Sequence, residues 1–175
     1  MLGPIKVGNN VKIMPVKAGN SSGYFSNASI ASAINYAYMN GADVINMSFG
    51  GSSVSIAVQD ALESAYTTSI LVASAGNDAA CNEGVDGCDA DVIPNYPAAL
   101  SYVIGVMSVG QNNVESPFTN WDVLSYNKVE HEVYAPGEDI LSTLPNGRYG
   151  ELSGTSMAAP VVSATAALLR SYFTD

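Results

Sequence analysis

Three features of the sequence predict an α/β fold: three layers, with a mostly parallel sheet carrying helices on both faces. Apolar strand-like runs alternate with helical periodicities, the order that βαβ units produce. The runs are apolar at nearly every position rather than at every second one, as strands covered on both faces must be. Hydrophobic residues make up 47% of the 175 and charged residues only 13%, which suits one domain over residues 1–175 with a well-buried core.

Val11 to Val16 reads as a short strand, although Pro15 lacks an N–H for pairing. A Gly- and Ser-rich loop spans Gly19 to Gly23. Ser26-Asn27 then offers an N-cap to a helix through Ile30, Ala33, Ile34, Ala37 and Tyr38, stopped by Gly41. Asp43 to Met47 is a strand leading into the tight loop Ser48-Phe49-Gly50-Gly51. A second helix from about Val54 to Tyr66 places Val54, Ala57, Val58, Ala61, Leu62 and Ala65 on one face. Ile70 to Ala75 is a strand broken by Gly76, and a long polar loop follows from Asn77 to Tyr96. Tyr102 to Val109 is the next strand. Glu132 to Tyr134 leads to the turn Ala135-Pro136-Gly137. Asp139 to Leu144 and Tyr149 to Ser153 flank Pro145-Asn146-Gly147, which predicts a hairpin. A helix from about Ser156 to Phe173 ends the chain.

Sixteen acidic residues against six basic ones give a formal net charge of -10. That surface repels nucleic acid and anionic membrane, so neither is expected as a partner. No apolar run approaches the roughly 20 residues of a membrane helix. Met1 to Lys6 lacks the basic stretch and apolar run of a signal peptide, which suggests a mature region or a shortened gene. Acidity and a local Cys81–Cys88 disulfide point to a secreted or extracellular setting; two free thiols are the other reading of that pair. The same loop holds Asp78, Glu83, Asp86, Asp89 and Asp91. These carboxylates are either solvated or the ligands of a structural calcium ion, which wants oxygen donors. No cofactor is otherwise required.

The segment Gly154-Thr155-Ser156-Met157-Ala158-Ala159-Pro160 carries the chemistry. It sets a serine hydroxyl at a helix N-terminus, where free N–H groups and the helix dipole favour a developing oxyanion. The small residues that follow let the helix lie close to neighbouring backbone. Taken alone, the same pattern also describes an ordinary helix start capped by Thr155 or Ser156. Likewise, Gly76-Asn77 alone also describes a turn.

Gly154 to Pro160 resembles the nucleophile signature of the subtilisin family of serine peptidases. Four further blocks resemble that family in the same order: Asp43 to Gly51, Val72 to Asn77, Tyr96-Pro97-Ala98 with Val103 to Val106, and Ala135-Pro136-Gly137 through Ser142-Thr143-Leu144-Pro145. The resemblance implies Ser156 as nucleophile, with its N–H and the Asn77 amide binding the oxyanion. It implies that Ser48, Phe49 and Gly50 pair with substrate backbone. Ala75 and Gly76 would line the pocket for the residue before the scissile bond. The expected substrate is a protein or peptide.

In this family the triad runs Asp, His, Ser along the chain, so both upstream members should precede Val11. His131 is the single histidine and by resemblance sits in the wrong element. Val161 stands where the family often has another histidine. A subtilisin-like domain truncated at its N-terminus is therefore expected to be inactive alone, because a serine hydroxyl without a base is a poor nucleophile. By resemblance, the Asp-bearing strand lies between the equivalents of Val11–Val16 and Val44–Met47. Either Val11–Val16 pairs directly with Val44–Met47, or a second copy of the chain fills the gap as a homo-oligomer. A non-catalytic peptide-binding module is the competing function. A nucleotide-binding domain is a weaker reading, because neither G-x-G-x-x-G nor G-x-x-x-x-G-K-[ST] occurs.

Overall fold

A computed structural model of the chain describes residues 11–78, 94–121 and 133–173. Helix α1 (Asn27–Met39) begins where Ser26 accepts the Ser29 N–H and Ser29 Oγ accepts the Ser26 N–H. This reciprocal cap satisfies two otherwise orphaned donors. Ala31, Ile34 and Ala37 form its buried stripe, and Gly41 follows with φ +80°. Strand β1 (Val44–Met47) leads to helix α2 (Ile56–Tyr66). Ser55 caps α2, so the helix starts two residues after Val54, which still packs against the core.

Strands β2 (Ile70–Ser74), β3 (Ile104–Val109) and β4 (Val133–Pro136) complete a parallel sheet of order β1-β2-β3-β4. The register runs Val44 to Ile70, Val72 to Ile104 and Val106 to Val133. Alternate side chains divide between two cores. Ile45, Met47, Leu71 and Ala73 pack with Ile34, Val58, Leu62 and Ala65 of α1 and α2. Val72, Val106 and Ala135 pack on the other face against Ala158 and Ala159. Those two belong to α3 (Thr155–Tyr172), which crosses all four strands. Both faces of the sheet are thus covered, as its apolar strands require.

β5 (Ile140–Leu144) and β6 (Arg148–Leu152) form the expected antiparallel hairpin. Asn146 and Gly147 both have positive φ, 63° and 70°, the backbone that Asn-Gly adopts most readily between paired strands.

Two sequence expectations need correction. Val11–Val16 is not a strand, and it does not pair with β1. Its Ile13, Met14 and Val16 are exposed. A strand exists only by pairing, and among the described residues β1 is an edge with no neighbour on its outer side. The second concerns residues 133–136. They form a full strand beside β3 rather than a lead-in to a turn. Their backbone pairs with Val106 to Val109, and Pro136 sits at the last position, where its missing N–H is tolerated.

Candidate active site

The site gathers at the carboxyl ends of the parallel strands, the usual place for ligands in open α/β sheets. Ser48 follows β1, Ala75 to Asn77 follow β2, and α3 begins at Thr155. Gly154 occupies the N-cap position with φ 153° and no side-chain cap, so neither Thr155 nor Ser156 caps the helix. The cap comes from elsewhere in the chain. Asn77 Oδ1 accepts the Thr155 N–H at 2.9 Å and the Thr155 hydroxyl at 3.0 Å. Thr155 Oγ1 in turn accepts the Gly76 N–H at 3.2 Å. Thr155 is fully buried, so this exchange fixes the Asn77 side chain against the first turn of α3.

Two donors stay uncommitted beside that clamp. The Ser156 N–H has no acceptor among the described residues, and neither does Asn77 Nδ2. Ser156 is half-buried; its hydroxyl donates to Ser48 O at 3.3 Å, and the Ser48 hydroxyl donates to Ser156 O at 2.8 Å. The structure therefore brings Ser48, Asn77 and Ser156 together from three elements.

The other expected site residues surround this centre. Phe49 stacks on Phe25, with ring centroids 5.2 Å apart, and joins the α1–α2 core. Gly50 is exposed, and the Asn95 side chain lies where its Cβ would be. Beside it, Gly51 pairs with Tyr96 through bonds of 3.0 and 2.8 Å. Ala75 is fully buried, with its N–H on Val106 O. Gly76 has φ +110°, and a Cβ there would collide with the Asn120 amide. Asn95 also approaches Gly76 and donates from Nδ2 to Ser74 O at 3.0 Å.

Thr155, Asn95 and Asn120 were not anticipated from sequence. Thr155 lay inside the recognised signature, but its partners are some 78 positions away in sequence. The expected Cys81–Cys88 pair, Glu83, Asp86, Asp89 and Asp91 of the acidic loop, and His131 lie outside the described residues. Asp78, the remaining member of that loop, is exposed. Among the described residues, no three His, Cys, Asp or Glu side chains cluster to hold a metal, and no helix is long and apolar enough to cross a membrane.

The parallel α/β sheet thus sets a serine at the start of α3, with an asparagine side chain held against the same first turn. The subtilase family model matches residues 5–175, so the chain belongs to the subtilase family. It is 39% identical to subtilisin DY of Bacillus licheniformis over 171 residues, 98% of this chain and 58% of that one. It is 45% identical to the major intracellular serine protease of Bacillus subtilis (strain 168) over 143 residues, 82% of this chain and 41% of that protein. Among solved structures, a cold-adapted subtilisin-like serine proteinase matches with a TM-score of 0.79 at 30% identity, covering 95% of this chain and 56% of that one. The prenylagaramide maturation protease PagA matches at 0.71 and 34%, covering 87% and 52%. The chain thus spans about half the length of the relatives it matches.

Proposed function

We propose that this chain supplies the nucleophile and the oxyanion site of a subtilisin-type serine endopeptidase acting on proteins or peptides. One observation carries the reading: the clamp holds Asn77 against the first turn of α3, and among the described residues neither the Ser156 N–H nor Asn77 Nδ2 has an acceptor. In such a site Ser156 Oγ bonds to the scissile carbonyl carbon, and the carbonyl oxygen gains the negative charge. The two donors stabilise that charge as it forms. For a subtilisin's own oxyanion amide, the known loss on removal is about 10²–10³-fold in rate.

The serine proton needs an acceptor. Here the hydroxyl donates to Ser48 O, a carbonyl far too weakly basic to take the proton. His131 is the single histidine, and by family resemblance it is not the base. The base and its Asp partner then come from a separate segment, and these 175 residues alone are inactive.

The test compares this chain with a form joined to a segment bearing that Asp and His. Fluorophosphonate labelling and peptide hydrolysis are expected only in the joined form, and Ser156→Ala should abolish both. Stoichiometric labelling of the chain alone would overturn the base assignment. A joined form that holds peptides but never cuts them would establish a binding module instead.

A further inference from the structure

Asn77 is held at both ends, and only one end involves Thr155. The second restraint acts on its backbone neighbours. Asn120 lies in the segment after β3 and is 2% exposed. Its N–H donates to Gly76 O at 3.0 Å, its Nδ2 donates to Ala75 O at 3.1 Å, and its Oδ1 accepts the Asp78 N–H at 2.9 Å. These bonds bracket residue 77 on either side without touching its side chain.

Asn120 is itself anchored to the sheet. Thr119 Oγ1 accepts the Ser108 N–H at 2.9 Å and donates to Asn120 O at 3.0 Å. Ser116 adds a backbone bond to Ser108 O at 3.0 Å and a hydroxyl contact with Ser108 Oγ at 2.8 Å. The restraint therefore runs from β3 through Thr119 and Asn120 to the loop that ends β2. It also explains Gly76, because a Cβ at that position would occupy the space of the Asn120 amide.

We infer that Asn120 is a positioning residue that fixes the backbone on which Asn77 presents its amide to the oxyanion. This rests on the function proposed above. A donor stabilises an oxyanion only when it is already in place as charge develops, so a loop free to swing wastes the interaction. Asn120→Asp keeps the shape and the Oδ1 acceptor. It removes the Nδ2 donor and sets a carboxylate against Ala75 O.

The experiment uses the active form, this chain with the segment bearing Asp and His. Asn120→Asp is expected to lower kcat about tenfold with KM within about twofold, because the lost interaction belongs to the transition state. Asn77→Ala should lower kcat further. In the Asn77→Ala background, Asn120→Asp should have no additional effect, since residues acting as one unit are non-additive. A role in folding alone would shift the melting temperature and leave kcat of the folded enzyme intact. If Asn77→Ala leaves kcat unchanged, the proposed function fails, whatever Asn120 does. If Asn77→Ala lowers kcat but Asn120→Asp does not, or the two losses multiply, the positioning role is overturned. Should Asn120→Asp fail to fold, hydrogen exchange in the unsubstituted chain decides. A protected Asp78 amide is expected, and exchange at the free-peptide rate overturns the role.

Discussion

Tyr102 carries a buried side-chain oxygen with no hydrogen-bond partner, the one such atom among the described residues. Its ring packs against Tyr66, centroids 5.4 Å apart. Burial, and next the nearby Glu63 carboxylate, raise its pKa above the ordinary phenol value. The fold thus favours the neutral phenol. Its contribution to stability is complete below the unfolded pKa of about 10 and is lost as pH rises through the higher folded value. Tyr102→Phe removes a hydroxyl whose unsatisfied burial costs about 1–3 kcal/mol. Thermal unfolding followed by circular dichroism should show the variant melting a few degrees higher at pH 7. As pH rises above about 10 it should also lose less stability than the parent chain. A lower melting temperature at pH 7 would mean that the hydroxyl has a partner after all. The site residues teach a different lesson at this scale. Ser156 and Asn77 were legible because they stand in recognisable segments. Asn120 follows Ser116-Pro117-Phe118-Thr119, which carries no local pattern, and its value comes from atoms at residues 75, 76 and 78.

Helices and strands followed their local signals where those signals were periodic or capped. Ser26 with Ser29, the stripe Ala31–Ile34–Ala37 and the turn Asn146-Gly147 needed nothing from the rest of the chain. Val11–Val16 and Val133–Pro136 went the other way, because a short apolar run becomes a strand only when a neighbour presents a matching edge. β3 offers that edge to Val133–Pro136, and nothing among the described residues offers it to Val11–Val16. Among the described residues β1 therefore keeps one row of backbone groups unpaired, an arrangement that templates association. Exposed Ile13, Met14 and Val16 add apolar surface. We propose that a second copy of the chain covers this edge. Size-exclusion chromatography with light scattering should then show a dimer that grows with concentration. A monomer at every concentration would remove the second copy and leave the edge to another segment of the same protein.

At the scale of the whole molecule, α3 unites the structure and the chemistry. Its run of small residues lets it lie across all four strands, and the same close approach delivers Ser156 to the strand ends. Charge is a separate matter. The excess of acidic side chains leaves the protein strongly negative at neutral pH, which disfavours non-specific association. The related proteins include one named an intracellular protease, so kinship does not fix the compartment. We propose an extracellular setting, in which Cys81 and Cys88 form a disulfide. A thiol assay on the unreduced, unfolded chain should then count no free thiols. A count of two would remove this support for an extracellular setting.

The sequence by itself determined the layer order, the helix start at Ser26 and the hairpin turn, and it singled out Ser156 and Asn77 as the pair expected to carry chemistry. These rest on local geometry or on a contiguous motif. Only the tertiary structure decided that Thr155 locks Asn77, that Asn120 braces the loop around it, and that Val11–Val16 does not pair with β1. Those outcomes depend on groups distant along the chain arriving within hydrogen-bond distance, and residue type and spacing do not encode distance.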